Sequence, residues 1–491
     1  MRSSITTALG LSLSMLFSGL ALANVDTGVT GGGQALRNRQ PSLALTYFVP
    51  LTGSFPGRDE GFGVGVQTLA NIRLFAGNFA PGDALSANGQ LRAIGQNTAL
   101  FSLLGTNFGG DGITTFALPD LSSRTAVHTG SGPWQIGETR GIDLVSLTQA
   151  QLPAHTHAEP SASGMTGSTG ASQPFTNTQP SLGLNYVIAT SGVFAGPDNG
   201  TGGQTFVGQM GLFAGNFAPT GWAFADGQTL AITGNDALFT LIGTTYGGNG
   251  QDAFALPDLR GRTVVGTGAG AGLSPWALGQ IRGAEDVTLT QAEMPAHLHT
   301  LAAGAGVTGV TGGSQPFDNT QPSIGLTYLI STQGLFPPRD GGSLSGATYL
   351  GELSLFAADF APRGWALADG RLLPIGQNTA LFSLLGTTYG GDGITTFALP
   401  DLRGRSVVGA QAGLVDVGDA TGLEMLTLTV AELPSHLHSS SGPLPAGLCL
   451  FGSACGGLFG LRLTAKRCKT SITKSARAGV AGSSEEDSET R

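Results

Sequence analysis

Apolar residues along this chain fall in short runs cut by Gly, Pro and Asn, not in long stripes of helical spacing. The run Leu182-Gly183-Leu184-Asn185-Tyr186-Val187-Ile188 alternates closely enough to predict a strand. Runs such as Ala223-Phe224-Ala225 end at Asp226-Gly227, and Asp-Gly and Asn-Gly pairs suit tight turns with positive φ. Residues 378–386 carry an Asn at the start, a spaced apolar face and a closing Gly386, which predicts a short helix with Asn378 as its cap. Residues 387–393 are predicted as loop. The pattern as a whole predicts an α+β fold, β-dominated, with short strands, long Gly-rich loops and short helices.

Two longer apolar runs lie at the ends. Met1-Arg2, an apolar centre from Ala8 to Leu20 and the close Ala21-Leu22-Ala23 form the pattern of a secretory signal peptide over residues 1–23, cut before Asn24. A membrane anchor is the other reading, but the centre is shorter than the roughly 20 residues a span needs. From Leu444 to Leu461 there is no charge, and Arg462, Lys466 and Arg467 follow. That length is close to the minimum for a span, and the cations would hold their end in the cytoplasm, which implies transient membrane association through 444–463. With Pro443-Leu444-Pro445-Ala446 ahead of it, segment 443–467 resembles the PEP-CTERM sorting signal of Gram-negative bacteria, which implies removal by an exosortase-like enzyme. It departs from that pattern in having Pro-Leu-Pro-Ala for Pro-Glu-Pro and in the charged tail 468–491 behind it.

Composition narrows the class. The 491 residues include 80 Gly and only 11% charged residues, against about 25% charged and roughly 7% Gly in ordinary domains. A hydrophobic share of 40% with 25 Phe excludes a disordered chain, and glycines without a G-X-Y period exclude collagen. The formal charge is -9 and the first 460 residues hold no basic block, so nucleic acid is not an expected partner. All 3 Cys, at 449, 455 and 468, lie near the C-terminal end, which leaves the body without disulfide or thiol chemistry.

The chain is a triple repeat. Residues 74–81, LFAGNFAP, recur at 212–219 and, as LFAADFAP, at 355–362; FALPDL recurs from Phe116, Phe254 and Phe397. Gln40-Pro41-Ser42-Leu43 recurs at Gln179 and Gln321, and each copy closes on an H-x-H. The spacing far exceeds that of solenoid repeats, so each copy is read as a domain: 24–157, 158–299 with a leading linker, and 300–438 with another. The motifs LFAGNFAPxGWAxADGQ, NxALFxLxGTTYGGxG, FALPDLRGR and LTQAEMPAHxH resemble the phage tail collar domain family, including the microcystin-dependent proteins, over nearly all of residues 40–438. The resemblance implies the small fold found near the tips of phage tail fibres, often as an intertwined trimer, in binding or structural proteins rather than established enzymes.

The first copy diverges. Gly221-Trp222 and Gly364-Trp365 become Asp83-Ala84, Asp226 and Asp369 become Asn88, and Arg260-Gly261-Arg262 and Arg403-Gly404-Arg405 become Ser122-Ser123-Arg124. Two readings stand: these residues form a site that copy 1 lacks, or the Trp fills a core and the Asp and Arg tie loops together.

Six of the seven His form three pairs: His155 and His157, His297 and His299, His436 and His438. Only His128 stands alone, and it is given no role. Each pair follows a capping box, Thr148-x-x-Gln151, Thr290-x-x-Glu293 or Thr429-x-x-Glu432. Pro153, Pro295 or Pro434 then disfavours helix and releases an extended segment, in which residues i and i+2 share a face. Two imidazoles alone are a weak metal site. The resemblance adds that in fibre tips of this family H-x-H pairs from three chains meet on the trimer axis around a metal ion. Carried over, one chain mimics the trimer and its six His hold one structural Fe(II), Ni(II) or Zn(II). Three separate sites, sites completed by association of chains, and a surface strand without metal are the other arrangements. The Gly/Ser/Thr/Ala spacers at 161–172 and 302–314 have the composition of flexible linkers and allow closure or a string of separate units.

No G-x-S-x-G elbow, P-loop, H-E-x-x-H or Cys-His pairing is present, so no catalytic residue is assigned and an enzyme is not expected. A metal-assisted hydrolase is the weakest reading, since it needs one H-x-H, a carboxylate and an open coordination position. The expected function is that of a secreted or cell-surface binding or structural protein of a Gram-negative bacterium, adhesive or glycan-binding, with surface glycan or extracellular matrix as partner. A subunit of an appendage or a phage-tail-derived particle is the alternative. Tyr246, Tyr389 and Gly247-Gly248-Asn249-Gly250 are candidate ligand contacts, though those glycines are more simply turns.

Overall fold

Each repeat opens on a nine-residue strand that is buried along its whole length: Ser42–Pro50, Ser181–Ala189 and Ser323–Ser331. A strand with no solvent face needs apolar or small residues on both sides, which is why these sequences are near-continuous rather than strictly alternating. The computed structural model describes residues 25–56, 68–82, 84–130, 134–159, 165–196, 204–301, 306–339 and 348–440. The signal-peptide segment 1–23, Asp83 and the segments 443–467 and 468–491 lie outside the described residues.

Strand pairing is cyclic. The first half of each long strand takes, in parallel, a four-residue strand from the preceding repeat: Ser181 lies beside Thr125, Ser323 beside Thr263, and Ser42 beside Ser406 of the third repeat. The second half pairs antiparallel within its own repeat, Tyr47 with Leu74, Tyr186 with Leu212 and Tyr328 with Leu355. The inner strands Asn71–Phe75, Gln209–Phe213 and Glu352–Phe356 then pair with one another in a closed triangle, through Ile72 and Leu212, Met210 and Leu355, Leu353 and Leu74. The three repeats therefore surround one pseudo-threefold axis. They share one large core, to which Leu43, Leu182 and Ile324 contribute equivalent buried side chains.

Three short helices, α1 (Thr98–Leu104), α2 (Asp236–Ile242) and α3 (Thr379–Leu385), pack their leucines and Ile242 into this core. Each stops at a Gly with φ of 57° or 53°, a conformation that costs a residue with a Cβ. The helix expected at 378–386 is present, but Asn378 does not cap it through its side chain. Its amide donates back to the Pro374 carbonyl at 3.0 Å, because its own backbone is outside the extended region from which a cap accepts.

The loops are tied internally. Asn249 Oδ1 accepts three backbone N–H groups, from Gln251, Asp252 and Ala253, each at 3.0 Å. The Tyr246 and Tyr389 hydroxyls donate to the carbonyls of Ala357 and Ala76 in the next repeat, at 2.8 and 2.6 Å. These tyrosines join repeats and are largely buried, so neither is a platform for a ligand. Arg260 pairs with Asp258 and Arg403 with Asp401, and Trp365 is buried against Phe206, as the second reading of these residues has it. His128 is buried where the other repeats have Gly266 and Gly409. Its Nδ1 accepts from the Tyr186 N–H at 2.9 Å, so its Nε2 carries the proton and donates to Asp226 at 2.6 Å, joining repeats 1 and 2.

Candidate metal centre

The capping box forms in full at Thr148, and at Thr290 and Thr429 its returning half forms. The Thr148, Thr290 and Thr429 N–H groups donate to the side chains of Gln151, Glu293 and Glu432 at 2.8, 2.7 and 2.7 Å. Each closed turn delivers one apolar side chain to the axis, where Leu152, Met294 and Leu433 meet, fully buried. The proline that follows sends the chain on extended, and the paired histidines project from it.

A closed ring surrounds them. Segment 155–158 pairs with 165–169, and 297–300 with 307–311, as His–Thr bridges His155–Thr169 and His297–Thr311 show. Among the described residues the third pair has no such return within its own repeat. The N-terminal segment takes that place: Thr30 bridges His436, and Val25–Asp26 pairs with Ser439–Ser440. Each return segment also binds a second histidine strand, through Gly167 N–H to Ser439, Gly309 N–H to Ala158 and Gly28 N–H to Thr300, at 2.8, 2.8 and 2.7 Å. An added Cβ at Gly28 or Gly167 would stand 2.0 or 2.2 Å from the facing Thr300 or Ser439 hydroxyl, so a side chain there would force that hydroxyl to rotate away.

This corrects the linker reading of the spacers, whose described parts, 165–172 and 306–314, are ordered pieces of the ring. Small residues are there because backbones approach closely, not because the chain is loose. The overlooked signal is Thr-Gly-x-Thr-Gly, which begins at Thr27, Thr166 and Thr308.

All six paired histidines are buried. His155, His297 and His436 each place Nδ1 2.9 Å from the carbonyl of the proline two residues before. His157, His299 and His438 place Nδ1 2.9, 2.8 and 2.8 Å from the carbonyls of Gly309, Gly28 and Gly167. A carbonyl only accepts, so every Nδ1 carries the proton and every Nε2 presents a lone pair. His297 and His436 bring these Nε2 atoms within 3.1 Å, His155 and His438 within 3.2 Å. The buried Nε2 atoms of His157 and His299 have no hydrogen-bond partner.

Two nitrogens each about 2.1 Å from one ion at a right angle stand about 3.0 Å apart, which matches these separations. Ligand nitrogens of His155, His297, His299, His436 and His438 all lie within 4.8 Å of one another. The His157 ring stands beside this group, 4.8 Å between ring centres from His297, His299 and His438. Burial holds the imidazoles neutral, with His155 and His299 lowered to about 4 and His297 to about 3. Neutral, tautomer-fixed imidazoles whose Nδ1 is already committed are what a metal ion requires, so the residues present fit a metal.

Three stretches, residues 70–126, 208–264 and 351–407, match the family model of the Phage Tail Collar Domain. Each of the three repeats thus carries one stretch similar to that domain. No curated protein and no solved structure matches it. Among the described residues no helix is long and apolar enough to cross a membrane.

Proposed function

We propose that this protein is a single-chain counterpart of a trimeric fibre tip, pinned by one axial metal ion and working outside the cell as a surface-binding structural module. The observation that carries the reading is the convergence of three H-x-H pairs, one per repeat, on one axis with all Nδ1 protons directed outward. Six nitrogens would fill an octahedron and leave no position for a substrate, so the ion would be structural and this site would not run metal-assisted hydrolysis. Imidazole suits Fe, Ni and Zn alike, but structural Zn is nearly always four-coordinate, which favours Fe(II) or Ni(II). Export is supported by the signal-peptide pattern of 1–23, and delivery to the outer surface of a Gram-negative cell by the sorting-signal pattern of 443–467.

Labelled protein added to cells or to isolated matrix polysaccharide is expected to be retained without releasing sugar. Failure to be retained contradicts the adhesive part of the reading, and assembly into regular filaments in electron micrographs would favour an appendage subunit.

A further inference from the structure

The three junctions between repeats are not equivalent. Between repeats 1 and 2, Arg260 lies across Gly130, its Cγ 2.5 Å from where a Cβ would stand, and its Nε is 2.9 Å from Asp258. Between repeats 2 and 3, Arg403 lies across Gly268 in the same way, with its Cγ at 3.1 Å and its Nε 2.9 Å from Asp401. Where repeat 3 meets repeat 1, the corresponding residue is Ser122, bridged to Gly409, and Asn88 stands in the place of Asp226 and Asp369. A guanidinium and a carboxylate have been exchanged for a hydroxyl and an amide.

At this junction the structure has a cavity of about 530 Å³, bordered by Ser122 and Asn88. That lies within the roughly 300–1,000 Å³ of small-ligand sites. Tyr47, Leu121 and Leu384 give it an apolar floor, and Asn78, Gln411 and Asp416 join Ser122 and Asn88 in its wall. No lysine or arginine lines it, so an anion would find no counter-charge. Amides and hydroxyls both donate and accept, and a carboxylate accepts from adjacent hydroxyls. This is the chemistry that recognises a neutral polyhydroxylated molecule with one apolar face.

We infer that the divergence of repeat 1 opened a site for a neutral saccharide at its junction with repeat 3. The ligand class rests on the surface-binding reading above, while the location rests on the cavity alone. Repeat 1 is then not a copy that has lost a site but the one that supplies it.

The test uses the purified chain and a panel of neutral hexoses, N-acetylhexosamines and their disaccharides in saturation-transfer NMR and calorimetry, with inorganic phosphate and a uronic acid as anionic probes. One neutral saccharide is expected to bind at one site per chain. Gln411 stands where Gly130 and Gly268 admit the arginine, so the double variant Ser122→Arg/Asn88→Asp is made in a Gln411→Gly background and is expected to keep the melting temperature of Gln411→Gly alone and to lose affinity at least tenfold relative to it. Arg403→Ser is expected to open a second site and raise the stoichiometry. Unchanged affinity in the double variant, or binding of the anionic probes alone, overturns the pocket. If the wild type is retained by matrix polysaccharide and the double variant equally so, the pocket fails while the surface-binding reading stands. If no panel member binds and matrix retention is also absent, both fail.

Discussion

The Nε2 atoms of His297 and His436 face each other at 3.1 Å, and neither has a proton to share. Both rings have given their proton to a proline carbonyl through Nδ1. Two buried lone pairs at that separation repel, and a cation between them turns the repulsion into ligation. A ligand present at 100 times its Kd stabilises a fold by about 2.7 kcal/mol. Chelation is therefore expected to lower the melting temperature of the wild type, and to leave His297→Ala/His299→Ala, already poor in metal, unchanged. Equal effects of chelator on both proteins in calorimetry would count against the site.

Acid should destabilise the metal-free chain in a defined window. Burial lowers His155 and His299 from 6.5 to about 4 and His297 to about 3. The unfolded chain therefore takes up protons below 6.5 that the folded chain refuses, and stability falls as pH falls. The contribution is fully present above pH 6.5 and lost progressively on the way to about 4 and below. Urea midpoints of the chelated protein between pH 8 and 5 should decline, and less steeply once His155, His297 and His436 are replaced by Asn. A flat profile would contradict burial of neutral imidazoles.

The N-terminal segment is part of the site. Gly28 supplies the carbonyl that fixes His299, and Thr27 accepts the His438 N–H at 2.9 Å. Loss of such supporting contacts costs about 10–100-fold in metal affinity. A chain starting at Gln34 should show a loss of that size in a competition titration, and a peptide of residues 25–33 added in trans should restore part of it. Undiminished affinity would mean that the ring does not depend on its third return strand.

Repeats 1 and 3 are also matched by charge. Arg73 Nε donates to Glu352 at 2.6 Å, both side chains being largely buried, and the Tyr349 N–H donates to the same carboxylate at 3.0 Å. Glu352→Ala leaves Arg73 uncompensated and is expected to cost about 3–5 kcal/mol, whereas Arg73→Met/Glu352→Met should recover most of it. Denaturant unfolding of the three proteins checks both numbers.

Much of the site could be read before the fold was known. The H-x-H pairs, their capping boxes and the prolines are local signals, and each local piece behaves as its residues dictate. The strand around Leu182–Ile188 and the helix at Thr379–Leu385 are of the same kind. What stayed hidden is non-local. Nothing in the sequence of Ser42–Pro50 says that its parallel partner is Ser406–Gly409, more than 350 positions away. Thr27–Thr30 carries no apolar pattern at all, because its role is to let backbones approach. Ser122 looked like a loss because an absent arginine is visible in sequence and the space it leaves is not.

In the proposed function one chain closes a metal site that a fibre tip would build from three. Metal analysis of the purified protein, with its mass determined in solution on the same sample, tests this most directly. One metal per chain in a monomer, with six nitrogen ligands by X-ray absorption, is the expected result. Three metals per chain, or one metal found only in an oligomer, would contradict it.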